Sequence, residues 1–203
     1  FDYDTQKEFI GTINQEIIRL QGMVNDILDF SRMEANAPME KALNSIVEVV
    51  ETCVKQVDVL TKEHNLSISV HKDNDIPEFM FNYNGIERAL MNFLSNAIKY
   101  SPENSTIEVA VKNLANKDEV EVTVTDHGCG IAPEHQKKIF DRFYRIENNT
   151  HTIKGTGLGL HLVKTTIEKY HNGKVFVNSA LGEGATFGFI LPTKIETEIE
   201  KVC

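Results

Sequence analysis

The chain has 203 residues, of which 41% are hydrophobic and 25% charged, a globular composition with room for one large or two small domains. Its net charge of -9 and the lack of a basic run argue against nucleic acid as a partner, because phosphate neutralisation needs clustered Lys and Arg. No apolar run is long enough to span a bilayer, so any membrane attachment is expected from segments outside this sequence. Three widely spaced cysteines indicate a reducing, cytoplasmic setting.

The first 36 residues predict a long stalk helix with one narrow apolar stripe, which ends at Asn36-Ala37-Pro38. The stripe recurs at alternating steps of three and four residues, as in a heptad seam. Its members, called the seam below, are Ile10, Ile13, Ile17, Leu20, Val24 and Ile27. Because such a stripe is narrower than a typical globular apolar face, it favours a dimer or helical bundle over docking on the same chain.

From residue 37 onward, predicted helices and strands alternate. Helices are expected over 45–64 and 84–100, after Pro133, and from near Gly157 to His171-Asn172-Gly173, where Gly173 can serve as the residue after the C-cap. Alternating apolar residues predict strands near 66–70, 107–111, 120–124, 174–178 and 185–191. The Asn- and Thr-rich stretch 146–156 lacks periodicity and is typical of a lid or a plain surface loop. This order predicts an α/β two-layer sandwich with a mixed sheet, preceded by the stalk helix.

The first candidate site, called the amide segment, runs from Asn92 to Ser101. Asn92, Asn96 and Lys99 fall at i, i+4 and i+7 on one helical face, and apolar neighbours supply the buried face. Two amides and an ammonium can hold hydrated Mg²⁺ and phosphate oxygens, because Mg²⁺ prefers oxygen ligands and keeps several waters. A polar face directed at solvent is an equal alternative.

The second candidate, the first glycine segment, is Asp126 to Ile131, directly after a predicted strand. A carboxylate at a strand end can accept a hydrogen bond from an exocyclic amine such as that of adenine. Gly128 and Gly130 would let a flat ring approach the backbone closely. A β-turn led by a polar residue is the alternative.

The third candidate, the aromatic segment, is Phe140 to Arg145. Arg145 could reach a terminal phosphate, because a guanidinium stabilises spread negative charge. For Phe140 and Phe143 we favour a place in the core over a place under the lid.

The fourth candidate, the second glycine segment, is Gly155 to Leu160, which leads into a helix. Small residues and free N–H groups at a helix N-terminus can cradle a phosphate. A Rossmann dinucleotide site is excluded because the glycines follow a late loop, and a P-loop is excluded because no Gly-Lys-Ser/Thr follows.

In this order and spacing, the four segments resemble the N, first-glycine, F and second-glycine boxes of sensor histidine kinases. That family shares the Bergerat nucleotide fold with DNA gyrase, MutL and the ninety-kilodalton heat-shock chaperones. Residues 28–32 also resemble the end of its second dimerisation helix, and 182–187 resemble its last glycine box. The resemblance implies two units: 1–36, the second helix of the dimerisation hairpin, and 37–203, the catalytic ATP-binding domain.

The resemblance also implies a site for Mg-ATP. Asn96 would bind Mg²⁺ with Asn92 beside it, Asp126 would bind the adenine amine, and residues 146–156 would form the lid. Catalytic roles fall to Asn92, Lys99 and Arg145. The other residues that would contact ATP are Tyr100, Gly128, Gly130, Ile131, Tyr144, Gly155, Thr156, Gly157, Leu158, Gly159, Leu160 and Thr186. Relatives that hydrolyse ATP carry a water-activating Glu at the position of Asn92, and an amide is a poor general base.

The family's phosphate-accepting His is followed directly by Glu, and none of the seven histidines here is. Each is interpreted as a surface or packing histidine, no zinc site is predicted, and the acceptor helix is expected upstream of Phe1. The resemblance therefore implies an ATP-dependent protein-histidine kinase of a two-component system, homodimeric through its stalk, with a response-regulator receiver domain as partner. The alternatives are a different enzyme on the same nucleotide fold, such as a clamp ATPase or serine kinase, and an inactive nucleotide-binding module.

Overall fold

The computed structural model describes residues 2–146 and 156–194, so most of the predicted lid lies outside the described residues. A long helix precedes a domain that contains a five-stranded and a two-stranded sheet. The elements are α1 (Tyr3–Glu34), β1 (Ala42–Asn44), α2 (Ile46–Glu63), β2 (Ser67–Lys72), β3 (Phe79–Phe81), α3 (Tyr83–Tyr100), β4 (Thr106–Leu114), β5 (Glu119–Asp126), α4 (Pro133–Gln136), α5 (Gly159–Lys164), β6 (Lys174–Ser179) and β7 (Ala185–Pro192). A π-helical stretch, Thr165–Tyr170, continues α5.

Helix α1 confirms that the first part of the chain forms one long helix, as the sequence predicts. It is capped by Asp2, whose carboxylate accepts a hydrogen bond from the backbone N–H of Thr5 at 2.7 Å. Every seam side chain is between 48% and 67% exposed. The seam therefore does not pack on the domain. Within the described residues, no helix has the length and apolar character needed to cross a membrane.

The five-stranded sheet has the order β2-β4-β5-β7-β6, with β2 parallel to β4 and the other neighbours antiparallel. One face is apolar because alternate residues of each strand point the same way. The large buried apolar side chains of the three central strands are Ile107, Val109, Val111, Val120, Val122, Val124, Phe187, Phe189 and Leu191. Helices α2, α3 and α5 contribute to the same core. The predicted α/β two-layer architecture with a mixed sheet is confirmed.

Helix boundaries differ from the sequence predictions at two points. Helix α3 begins at Tyr83 and is capped by Asn82, not near Asn84, because the Asn82 side chain accepts the Gly85 N–H at 2.7 Å. The last helix ends at Tyr170 with His171 as its C-cap, and the left-handed residue after the cap is Asn172, with φ 53°, not Gly173. Asn tolerates this conformation better than most residues. The short strands β1 and β3 were not predicted, since three residues give too little periodicity.

A buried histidine joins the start of α3 to the end of the last helix. The backbone N–H of Asn82 donates to His171 Nε2 at 3.0 Å, so His171 Nδ1 carries the proton and donates to the Thr166 carbonyl at 2.7 Å. Burial lowers the pKa of His171. His171 is therefore a neutral packing residue, as the sequence predicted.

Candidate functional site

Glycines at close contacts join the four candidate segments. A Cβ on Gly128 would lie 2.5 Å from the Tyr100 carbonyl oxygen, so this glycine lets the first glycine segment touch the amide segment. Gly157, at φ 71°, leaves no room for a Cβ beside the Phe143 backbone of the aromatic segment. A Cβ on Gly159 would overlap the Asn92 side-chain oxygen. These contacts bring all four segments to one end of the domain.

Two further glycines fix the loop that follows Asp126. Gly130, at φ 71°, packs directly on the Ala180 carbonyl, and Gly184, at φ 78°, packs on the Asp126 carbonyl. We expected the glycines of the first glycine segment to make room for a flat ring. The structure shows that Gly128 and Gly130 make room for neighbouring backbone, because a side chain at either position would meet a carbonyl oxygen. The approach of a flat ring to this loop stays a prediction.

Helix α3 presents the amide segment as predicted. Phe93, Leu94 and Ala97 are buried, whereas Asn92 and Asn96 are half-buried one turn apart on the opposite side. Asn92 Nδ2 donates to the Arg88 carbonyl at 3.1 Å, and its oxygen lies against Gly159. The Asn92 carboxamide is therefore fixed by both neighbours.

Asp126 is a buried carboxylate at the end of β5, with 4% of its surface exposed. Its Oδ1 accepts the Gly128 N–H at 2.8 Å. Burial raises the pKa of the Asp126 carboxyl, and backbone hydrogen bonds from Gly128 and Ala185 only partly offset this effect. A buried carboxylate is costly unless its oxygens find donors, so the site favours a ligand that brings a hydrogen-bond donor.

Cationic and aromatic groups gather where α3 ends. Lys99 Nζ lies 5.3 Å from the centre of the Tyr100 ring. Burial and the nearby Arg145 charge lower the pKa of Lys99. Burial and the neighbouring Cys129 raise the pKa of Tyr100, while Arg145 acts in the opposite direction. Lys99 and Arg145 thus place two positive charges close together, which favours binding of an anion.

The aromatic segment divides between the core and the surface. Phe140 is buried, as predicted, but Phe143 is 65% exposed, so its predicted place in the core is wrong. The reason is a left-handed turn at Phe143, with φ 59°, which is stabilised by a hydrogen bond from its N–H to the Gly157 carbonyl at 3.0 Å. Tyr144 is half-buried, with its hydroxyl 2.7 Å from His135 Nδ1.

The second glycine segment turns sharply into α5. Thr156 Oγ1 accepts the Leu158 N–H at 3.2 Å, and the helix begins at Gly159, two residues later than predicted. Leu158 is buried and Leu160 is half-buried. Gly155, also predicted for the site, lies outside the described residues.

Two other residues predicted for the site, Ile131 and Thr186, take no part in the glycine contacts that join the four segments. The backbone N–H of Ile131 donates to Ser179 Oγ at 2.8 Å, which ties the loop to β6. Thr186 is paired with Thr125 through a 2.9 Å contact between their hydroxyl oxygens, on the outer face of the sheet. Its neighbour Ala185 pairs directly with Asp126. The structure therefore does not bring Thr186 together with Asp126, because the pleat directs it to the opposite face.

Sequence reasoning missed the contribution of α1 to this end of the domain. A second face of α1, called the docking face, is half-buried and consists of Met23, Asp26, Asp29, Phe30 and Met33. Asp26 Oδ2 accepts the Thr156 hydroxyl at 2.9 Å, and Asp29 forms an ion pair with Arg88. The sequence does carry a signal for this contact, because the docking-face residues recur at helical spacing as a half-polar stripe beside the seam.

Arg142 continues this contact at the end of α1. Its Nη2 lies 2.6 Å from Glu34, its Nε donates to His161 Nε2 at 3.2 Å, and its guanidinium lies 5.1 Å from the centre of the Phe30 ring. A cleft of about 390 Å³ lies between α1 and α5 beside these residues. On the same helix, the docking face thus contacts the domain, whereas the seam is exposed.

The donor set of the site suits a hard cation better than zinc. No cluster of three His, Cys, Asp or Glu side chains that could hold a metal ion occurs in the described part of the chain. The amide segment offers carboxamide oxygens, and Mg²⁺ accepts one or two protein oxygens together with water. The residues present therefore fit a hydrated Mg²⁺ brought with phosphates.

Residues 81–195, more than half of the chain, match the family model of the histidine kinase-, DNA gyrase B- and HSP90-like ATPases. The chain belongs to this family. The match begins at the end of β3 and includes every described residue of the four candidate segments. The region that matches the family model therefore contains the four segments that the glycine contacts join.

Curated relatives extend the similarity to the stalk. The chain is 35% identical over 194 residues to drug sensory protein A of Synechocystis sp., and the alignment covers 92% of this chain and 29% of that protein. It is 29% identical to sensor histidine kinase WalK of Bacillus subtilis, covering 96% of this chain and 32% of WalK. The chain thus spans about a third or less of the length of these relatives.

Solved structures agree with this family membership. The nucleotide-free catalytic domain of histidine kinase ThkA has a TM-score of 0.67 and 26% identity, covering 76% of this chain and 97% of that one. Full-length ShkA in complex with AMPPNP has a TM-score of 0.79 and 25% identity, covering 93% of this chain and 39% of that one.

Proposed function

We propose that the chain is the ATP-binding catalytic domain of a histidine kinase with one helix of its dimerisation stalk. It binds Mg-ATP and transfers the γ-phosphoryl group to a histidine on a dimerisation helix, which passes it to an aspartate on a response-regulator receiver domain. The observation that supports this most directly is the glycine packing that joins the four segments. The AMPPNP named in the ShkA complex supports ATP as the nucleotide.

We divide the chain at residue 36. Residues 1–36 are the second helix of the dimerisation hairpin, and 37–203 are the catalytic domain. The exposed seam supports a homodimer, because six apolar side chains on a narrow stripe need a helical partner. In the intact protein the catalytic domain faces the cytosol, and the first helix of the dimerisation hairpin presents the acceptor histidine.

The nucleotide lies with its adenine at Asp126 and its phosphates toward the second glycine segment. The Asp126 carboxylate accepts a hydrogen bond from the adenine amine, beside the loop Gly128–Ile131. Lys99 and Arg145 neutralise the phosphates, with Tyr100 and Tyr144 near them. This assignment agrees with the raised pKa of Asp126 and with the two cations at the end of α3.

Helix α5 supplies the phosphate cradle. Its first backbone N–H groups lack intrahelical partners and carry the positive end of the helix dipole. Residues 155–160 therefore donate to phosphate oxygens, and Asn96 binds Mg²⁺ through its side-chain oxygen. A Mg²⁺ held by Asn96 would supply neutralisation of phosphate charge.

Asn92 disfavours hydrolysis of ATP relative to transfer of its γ-phosphoryl group to histidine. Its amide cannot accept a proton from water at neutral pH, and it is already engaged by Arg88 and Gly159. The domain's contribution to transfer is then positioning and charge neutralisation of an in-line reaction.

Calorimetry with Mg-ATP tests the nucleotide site. We expect Asp126→Asn to weaken binding by about 1.5–3 kcal/mol, because it converts a charge-assisted acceptor into a weaker one. Asp118→Asn is the matched control, since Asp118 is an exposed carboxylate paired with Lys194 at 2.8 Å. Equal affinity for the wild-type chain and Asp126→Asn would remove Asp126 from the site.

Labelling with γ-phosphate-labelled ATP tests the reaction. The chain alone should bind nucleotide without acquiring an acid-labile, base-stable label, because none of its seven histidines is followed by Glu. A separate helix that carries a His-Glu pair and matches the seam should become labelled. Release of inorganic phosphate without labelling would indicate a hydrolysing ATPase, and binding with neither outcome would indicate an inactive module.

A further inference from the structure

The stalk takes up one hydrogen-bond donor of the second glycine segment, the Thr156 hydroxyl. A threonine hydroxyl has one proton to donate, and Thr156 gives it to Asp26 Oδ2 at 2.9 Å. The same Thr156 oxygen accepts the Leu158 N–H at 3.2 Å. While the stalk is docked, neither the hydroxyl proton nor this amide is directed at another acceptor.

The next turn of α1 contacts the other side of the site. Asp29 forms an ion pair with the Arg88 side chain. The Arg88 backbone carbonyl accepts a hydrogen bond from the Asn92 side chain. Both aspartates belong to the docking face and are half-buried, so neither is a freely solvated surface charge. The docking face thus holds two carboxylates against the elements that flank the proposed phosphate position.

We propose that Asp26 competes with nucleotide phosphate for the Thr156 hydroxyl, so that stalk docking and nucleotide binding oppose each other. This inference rests on the proposed function, because it places phosphates at the second glycine segment. A carboxylate resembles a phosphate in charge and in accepting hydrogen bonds, and two like charges directed at the same hydroxyl repel each other. The opposition is reciprocal: any loss of nucleotide affinity caused by docking equals the loss of docking caused by nucleotide.

The experiment compares three variants of the full 203-residue chain. Asp26→Asn removes the charge at Thr156 and keeps the side-chain shape, and Asp29→Asn weakens docking without touching Thr156. Asp58→Asn is the control, because Asp58 is an exposed carboxylate of α2 that pairs only locally, with Lys62 at 2.6 Å. Mg-ATP affinity is measured by calorimetry, and exchange of the Leu158 amide is measured by NMR without nucleotide.

We expect Asp26→Asn to bind Mg-ATP about three- to tenfold more tightly than the control, a range set by a partly exposed charged interaction. Asp29→Asn should give a smaller increase. Leu158 exchange should accelerate in Asp26→Asn, because a neutral amide oxygen holds the Thr156 hydroxyl less firmly than a carboxylate does, and Thr156 is the residue that accepts the Leu158 N–H. Affinity equal to that of Asp58→Asn, or unchanged exchange, would overturn the inference while wild-type binding upheld the proposed function. Absence of Mg-ATP binding by every variant would overturn both.

Discussion

Helices α1 and α3 carry similar apolar periodicity, but the chain buries only one of the two stripes. In α3, Leu90, Phe93 and Leu94 are fully buried against the sheet and α2. In α1, the seam stays about half exposed, and contact with the domain is made by the half-polar docking face. Periodicity therefore predicts that a helix has an apolar face, whereas the width and surroundings of that face decide whether the partner lies within the same chain.

The largest expected effect comes from matched Leu→Ala changes in these two helices. Leu90→Ala should lower the free energy of unfolding by about 2–5 kcal/mol, since a fully buried leucine leaves a cavity. Leu20→Ala should change domain unfolding by less than about 0.5 kcal/mol, because Leu20 is 56% exposed. Urea unfolding measures both.

The same pair distinguishes the roles of the two stripes in assembly. Leu20→Ala should weaken self-association in sedimentation experiments, because it removes a seam side chain from the proposed dimer interface. Leu90→Ala should leave the association constant of the folded chain unchanged. A loss of stability in Leu20→Ala as large as that in Leu90→Ala would show that the seam packs on its own domain.

The parts of the fold that were predictable are those in which local pattern and burial coincide. Strands β4 and β5 alternate buried residues with half-buried or exposed ones along most of their length. The Ser45 side chain caps α2 by accepting the Glu48 N–H. The buried face of α3 also follows from spacing alone. In each of these elements a single period decides which side chains enter the core.

The contacts around the site were less predictable, because they join distant residues by geometry rather than by period. Asp26 and Thr156 are 130 residues apart in sequence, and no local pattern pairs them. Phe143 was assigned to the core by its hydrophobicity, but its left-handed backbone turns it outward. The glycines were recognised as important, yet only the structure shows that they accommodate neighbouring protein atoms.

A matched pair of Gly→Ala changes sharpens the contrast between stalk and domain. Gly159→Ala should destabilise the domain by about 1–3 kcal/mol, because the new methyl group displaces the fixed Asn92 side chain. Gly22→Ala should stabilise α1 by about 1 kcal/mol, since nothing lies within 4 Å of the added Cβ and Ala favours helix.

Thermal unfolding followed by circular dichroism measures the effects of both glycine changes. Mg-ATP affinity should fall in Gly159→Ala and should be unchanged in Gly22→Ala. If Gly159→Ala matched the wild-type chain in both measurements, Asn92 could move freely and would not be a fixed element of the site.

The smallest expected effect is a pH dependence that arises in the domain, since no histidine occurs in residues 1–36. Burial lowers the pKa of His171 in the folded chain, so the unfolded chain binds its proton more readily. Stability from this residue is therefore complete above about pH 6.5, the ordinary histidine value, and declines as the pH falls below it. Each tenfold difference in proton affinity between the folded and unfolded chain corresponds to about 1.4 kcal/mol in the free energy of unfolding.

In His171→Gln the free energy of unfolding should depend less steeply on pH between about pH 5 and 7. His64→Gln, at the exposed end of α2, should keep the slope of the wild-type chain. An unchanged slope in His171→Gln would show that the buried ring is not the group that makes the domain acid-sensitive.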